Sequence, residues 1–387
     1  MPESKSPRLP LADYFIVTAL NSVSVTVFLQ CLFFWTKQRF GYSHVENLAL
    51  AAMMGLSYII FAGIGGRAAD RIGYDRLLRW GLAGMAITLA TGWIPSGRWV
   101  PFAVVIVYNI FLSPTWPALE AAVMHGQGNA SMPDRLGIYN MTWASGNTVG
   151  IVLGGYLVEW KPDAVFWIPA GVHGMVWLWM LLRTSRIGER GATAMEISHQ
   201  GDAVDRTVKR RFMHLAWLGN SLAYFMITAF SALVPEMGER LGLSPALALG
   251  VVCAQFLARV VGFWFFWKWT GWHYRWGWAF AALALAPVGL ALMFFSVSVA
   301  VVTGASAAFG VAISLTYYGS IYYSLDYGGG KGEHGGLHEA VLGMGAFAGP
   351  LFGALAAGVG GAAAGQAAVV VVAGAVSVAG AAVIRGR

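Results

Sequence analysis

Twelve stretches of about twenty apolar residues, nearly free of charge, leave this sequence few folds to choose from. They run over 11–34, 45–65, 77–94, 100–123, 138–158 and 164–182, then 213–234, 245–267, 276–295, 299–323, 337–358 and 364–384. A helix rises about 1.5 Å per residue, so about 20 residues cross a hydrocarbon core of about 30 Å. Within lipid each backbone group needs a partner in its own segment, which a helix provides. Charged residues are only 11% of the chain, against roughly 25% in soluble domains. A water-soluble globule is thereby excluded. The 50 glycines would weaken soluble helices but suit membrane helices that pack closely. The expected fold is all-α, with twelve transmembrane helices in two six-helix bundles.

One long polar stretch, residues 184–211, separates the sixth run from the seventh. It lacks apolar periodicity and is too short for a core, so it reads as a linker. The expected organisation is a bundle over 1–183, a cytoplasmic linker over 184–211 and a second bundle over 212–387. With the N-terminus inside, inner loops and tails hold 19 Lys and Arg, the outer loops 5. That asymmetry places both termini in the cytoplasm of a multi-pass protein of the cell (inner) membrane. The net charge of +7 is thus an orientation signal, and no nucleic-acid partner is implied. Pro2, Glu3 and Pro10 break up a basic leader, so no signal peptide is expected. Cys31 and Cys253 both fall inside apolar runs and form no disulfide framework.

Three local signatures recur at a nearly constant offset. Asn21-Ser22 returns as Asn220-Ser221, Arg79-Trp80-Gly81 as Arg275-Trp276-Gly277, and Gly146/Gly150/Gly154 as Gly345/Gly349/Gly353. The offsets are 199, 196 and 199 residues. Together they lay runs 1–6 over runs 7–12 in one orientation, a parallel repeat. Such repeats place a substrate site near the membrane midplane, between halves that rock against each other.

Between the second and third runs stands Gly66-Arg-Ala-Ala-Asp70-Arg71-Ile-Gly73-Tyr-Asp-Arg76. This resembles the signature loop of the major facilitator superfamily, G-x-L-a-D-R-x-G-R-K, with Gly66, Asp70, Arg71 and Gly73 matching. Tyr74-Asp75 replaces the usual basic pair, and positive charge returns at Arg76 and Arg79. The resemblance implies that Asp70 and Arg71 act in gating, latching the two halves in the outward-facing state. A second match, Gly146-x-x-x-Gly150-Ile151-x-x-Gly154-Gly155, is similar to a motif of antiporters in that superfamily, with Ile151 in place of its proline. Small residues every four positions are packing surfaces first.

Ionisable residues inside apolar runs are functional candidates because burying them is costly. Arg259 lies nine residues before Lys268, about 14 Å deeper at 1.5 Å per residue. A cation there needs an anion, from either the protein or the substrate. Glu339, with His338 beside it, occupies the position of Asn140 in the repeat. Carboxylates withdrawn from water can carry a proton at neutral pH, and a first-turn acid favoured by the helix dipole is the plainer alternative. Glu120, one turn from the inner end of the fourth run, is expected to reach the interface. Asp13 and Glu46 are expected at the interface too, His173 in the core, and Asp326 as a cap of the tenth run.

By the resemblance, runs 1, 4, 5, 7, 8 and 10 line a central cavity. Their polar and aromatic groups are then substrate-binding candidates: Asn21 and Gln30; Tyr108 and Asn109; Asn140, Trp143 and Asn147; Asn220 and Tyr224; Gln255; and Tyr317, Tyr318 and Tyr322. Spacing of three and seven residues puts Asn140, Trp143 and Asn147 on one helix face. No phosphate loop, zinc spacing or catalytic constellation is present, so neither an enzyme nor a cofactor is expected. The sequence reads as a monomeric secondary transporter of a small organic solute, coupled to protons. The alternatives are an uncoupled facilitator, or a transporter-like receptor or lipid scramblase.

Overall fold

The structure is a computed structural model, and it describes residues 9–94, 97–125, 131–186, 204–328 and 333–386. The described residues form helices joined by short turns, with no strand among them. In chain order the helices are α1 (Leu11–Phe40), α2 (His44–Ile72), α3 (Tyr74–Gly92), α4 (Val100–Leu112), α5 (Thr115–His125), α6 (Met132–Trp160) and α7 (Ala164–Arg186). After the linker come α8 (Arg206–Ala232), α9 (Val234–Leu241), α10 (Pro245–Lys268), α11 (Trp276–Phe295), α12 (Val299–Gly328) and α13 (Glu333–Gly386). Nine stretches among the described residues are long and apolar enough to cross a membrane.

These helices account for all twelve apolar runs, with two departures. The fourth run is broken at Ser113-Pro114 into α4 and α5, because proline has no N–H and crowds the preceding turn. The last two runs merge into α13, which folds back at Gly361, where φ is +79°. Only glycine takes that conformation at little cost. Gly353 consequently faces Val369, and Gly365 faces Ala357, so the two limbs of α13 run antiparallel.

A third departure from the sequence reading concerns the motif between runs two and three. It is not a loop but the last turns of α2, which continues to Ile72; the chain reverses at Gly73, whose φ is +87°. Arg71 and Arg76 are exposed there, and Gly73 is half-buried. The surroundings of Gly66 and the side chain of Asp70 lie outside what the structure describes. Most of the linker expected at 184–211 lies outside them too; α7 runs on to Arg186, and α8 begins at Arg206, capped by the Asp205 carboxylate.

The glycine repeats hold equivalent helix pairs together. Gly146, Gly150 and Gly154 of α6 sit against Ala19, Val23 and Cys31 of α1. Gly345 and Gly349 of α13 sit against the Ser221 and Phe225 backbone of α8. Lipid tails are as apolar as leucine, so this contact comes from close approach and dispersion rather than from exclusion of water. Two further pairs join the halves: α2 meets α13 where Gly55 packs on Ala346 and Phe347, and α6 meets α10 where Gly155 packs on Ala246. Large apolar side chains such as Ile64, Ile87, Leu355 and Val359 point outward, as a lipid-facing surface requires.

Candidate functional site

Where these pairs leave a gap at the centre, a cavity of about 210 Å³ opens between the two halves. Helices α1, α2, α4, α5 and α6 line one side, and α8, α10, α12 and the first limb of α13 the other. Of the residues singled out from the sequence, Gln30, Asn109, Trp143, Asn147, Tyr224, Arg259, Tyr317 and Glu339 line it. Trp116, Tyr58, Tyr139 and Phe256 complete an aromatic wall that the sequence reading had not assembled.

Arg259 and Glu339 carry the only formal charges among these lining residues. Arg259 is 4% exposed, and neither its Nε nor its Nη2 has a hydrogen-bond partner among the described residues. Its guanidinium instead lies 5.7 Å from the Trp143 ring centre and 5.4 Å from that of Phe256. Aromatic faces attract a cation electrostatically but do not replace an anion. Glu339 accepts a short hydrogen bond from the Tyr58 hydroxyl across the α2–α13 contact. Tyr139, Tyr224, Tyr317 and Glu120 lie within electrostatic reach of it.

The uncharged groups divide by what they already hold. Asn147 accepts from Thr26 Oγ1 at 2.8 Å, tying α6 to α1. Asn109 donates to the Met54 carbonyl and to Ser57 Oγ, tying α4 to α2. Trp143 donates its indole N–H to Asn140 Oδ1 at 3.0 Å, and its ring meets Tyr317 edge-on. The Gln30 Oε1 has no partner among the described residues.

The other candidates lie away from the cavity. Asn140 is one turn from Trp143 but buried behind it. Asn21 and Asn220, equivalent in the repeat, are both buried beside the glycine seams, with amides that find no partner among the described residues. Tyr108 meets His173 Nε2 at 3.2 Å inside the first half. Gln255 is buried against Gly310 through its backbone. Tyr318 packs on Trp272, while Tyr322 stacks on His273 at 4.1 Å, a ring that burial keeps neutral down to about pH 4. His338 turns from the cavity to Ser320, 2.8 Å from its Nδ1.

Two acids expected at the interface are found buried. Glu120, on α5, is 9% exposed and lies within electrostatic reach of Glu339. Asp13 is 5% exposed and pairs side-on with Arg183, through Nε at 3.1 Å and Nη2 at 3.0 Å. Asp326, expected as a helix cap, instead pairs with Lys209 at 3.2 Å and accepts from the Tyr274 hydroxyl.

Contacts between the halves flank the cavity at both ends. At the end carrying the α1 C-terminus, Lys37 bridges to Glu236 and Glu239 at 3.2 and 2.6 Å, and Glu159 accepts from the Ala246 N–H at 2.8 Å. At the opposite end Asp134 accepts from the Trp267 indole at 3.1 Å and from Ser131 at 2.6 Å. These two hydrogen bonds hold its carboxyl below the usual carboxylate range.

This geometry can be set beside known proteins. The family model of the Major Facilitator Superfamily matches residues 14–337. Among solved structures, the nucleoside transporter NupG is similar with a TM-score of 0.70 and 12% identity, over 97% of this chain and 98% of that one. A mutant of NupG gives 0.71, again at 12% identity, over 97% and 99%. The human organic anion transporter MFSD10 (TETRAN) gives 0.64 at 15% identity, over 97% and 100%. Identities this low speak for the fold alone. No curated protein matches the sequence.

Proposed function

The chain belongs to the major facilitator superfamily of multi-pass membrane proteins, and from that premise we propose that it is a secondary transporter of a small organic solute. The observation that carries this reading is the cavity: it lies between the repeats, is lined by both and holds polar, charged and aromatic groups together. A pocket so placed changes its exposure when the halves rock, which is alternating access. In this reading the bundles are 1–183 and 212–387, joined by 184–211, with both termini cytoplasmic and the protein a monomer of the inner membrane. Asp70 and Arg71 latch the inner side.

Glu339 is the proton carrier. It is the only carboxylate lining the cavity among the described residues, and Tyr58 holds it at the contact between the halves. A contact of that kind is remade in each cycle, so the carboxylate can be exposed to each side in turn. The solutes named for the structural relatives, nucleosides and organic anions, are small organic molecules, which agrees with the solute class proposed. The test is purified protein in liposomes carrying an imposed pH gradient. Solute accumulation that follows the gradient and collapses with a protonophore supports the reading. Solute movement indifferent to the gradient removes proton coupling; no movement of any solute removes transport.

A further inference from the structure

Three arginines among the described residues allow a direct comparison of what a guanidinium holds in this protein. Arg98 presents Nε and Nη2 to Glu46, at 2.9 and 2.5 Å. Arg183 presents the same edge to Asp13. Arg259 is far more buried than either, yet its Nε and Nη2 meet no acceptor. A buried charge with no counter-ion among the described residues is strongly unfavourable, and such residues in membrane proteins mark pathways for substrate. What Arg259 lacks among the described residues is an anion, and the space beside it is the cavity.

Resting on the transporter reading above, the geometry points to an organic monoanion as the cargo: a carboxylate taken by Arg259, on a planar or aromatic body held by the surrounding rings. Tyr58, Trp116, Tyr139, Trp143, Tyr224 and Tyr317 make the cavity walls amphipathic rather than polar. They suit an aromatic body better than a sugar rich in hydroxyls.

Charge accounting supports the same class. With Glu339 ionised, the empty cavity holds one positive and one negative charge. A bound monoanion together with a protonated Glu339 leaves the total at zero. Empty and loaded carriers therefore reorient with no net charge in the low-dielectric centre, where an unbalanced charge is costly. A neutral cargo with the same proton would leave Arg259 uncompensated in the loaded state. The anion and the proton thus favour each other's binding, as linkage requires.

The experiment is thermal unfolding of purified protein with hippurate and 4-hydroxyphenylacetate, their neutral amides, and uridine, alongside exchange of each compound in liposomes. The carboxylates should raise the melting temperature of the wild type and the amides should not. Arg259→Gln should weaken carboxylate binding by about 100-fold or more, the scale for truncating one partner of a buried ion pair. Arg259→Lys should retain part of it, because charge survives while the planar fork is lost, and it carries the test if the glutamine variant does not fold. Equal stabilisation by the amides, stabilisation by uridine alone, no response to any compound, or unchanged carboxylate affinity without Arg259 would each overturn the assignment. The transporter reading fails separately. If carboxylates bind through Arg259 yet nothing exchanges across the bilayer, the anion site stands and transport falls. If uridine exchanges in both wild type and Arg259→Gln, transport stands and the anion falls.

Discussion

Tyr58 and Glu339 lie 281 positions apart in the chain and share one hydrogen bond. That bond joins α2 to the first limb of α13, so it reports on chemistry and on conformation together. Glu339→Gln keeps the shape and removes the titrating group. It should abolish uphill transport under a pH gradient while counterflow persists, because exchange cycles the loaded carrier with no net proton movement. Gradient-driven accumulation by this variant would transfer the role to Glu120. Tyr58→Phe removes one donor to the carboxylate and leaves the ring. With the carboxylate no longer held at the contact between the halves, gradient-driven transport should slow while counterflow persists; unchanged gradient-driven transport would mean that Tyr58 only packs. Which residues reach the cavity was only partly legible in the sequence. Trp143 and Asn147 line it, but Asn140, on the same predicted face, is withdrawn to accept the Trp143 indole. Its neighbour Tyr139, about 100° around the helix, lines the cavity instead. Helix rotation of that size is fixed by tertiary packing, and nothing in the local sequence encodes it. Tyr58 carried no signal at all, a single aromatic residue in an apolar run.

Helix boundaries, by contrast, are more local properties, and apolar length placed both ends of α10 and α11. Helices α1, α2, α6, α7, α8 and α12 each run several residues beyond their apolar stretch at one end. The break at Pro114 and the long extension of α2 through the Asp70 motif were not visible this way. The first depends on where a proline is tolerated, the second on Gly73 making the turn alone. The glycine spacings were legible because close helix approach needs small residues in register. Their packing role can be measured. At Gly345 an added methyl group would run into the Ser221 carbonyl and the Phe225 backbone, neither of which can rotate aside. Gly345→Ala should therefore destabilise the protein by about 1–3 kcal/mol, the range for overpacking, read as a lower melting temperature in detergent. Gly171→Ala is the control, since nothing lies within 4 Å of its added carbon. A melting temperature equal for both variants would mean that the seam is loose.

Across the whole molecule, the two halves touch at both ends of the cavity through different chemistry. One end is closed by Lys37 with Glu236 and Glu239, partly exposed ion pairs worth roughly 0–1 kcal/mol each. Contacts that weak suit a gate, because they can be broken and remade in every cycle. The opposite end has the Asp134–Trp267 contact, and by chain order the C-terminal turns of α2, which carry the Asp70 motif, belong to the same end. Asp70→Asn should leave the protein inserted and folded while slowing turnover and shifting the conformational balance, as seen in thiol labelling from the inner side; wild-type rate and labelling together would remove the latch. The motion itself can be followed with no knowledge of the cargo. Spin labels at Lys161 and Val297 report the end near Lys37, and labels at Pro133 and Thr270 report the opposite end; all four residues are exposed. Buried Cys31 and Cys253 are replaced by alanine so that only these sites react. Pulsed electron paramagnetic resonance in lipid nanodiscs then measures one pair at a time. Alternating access predicts two distances for each pair, the long one at one end populated as the short one is at the other, with Asp70→Asn moving both populations in opposite senses. A single distance at each end, unmoved by Asp70→Asn, would contradict it.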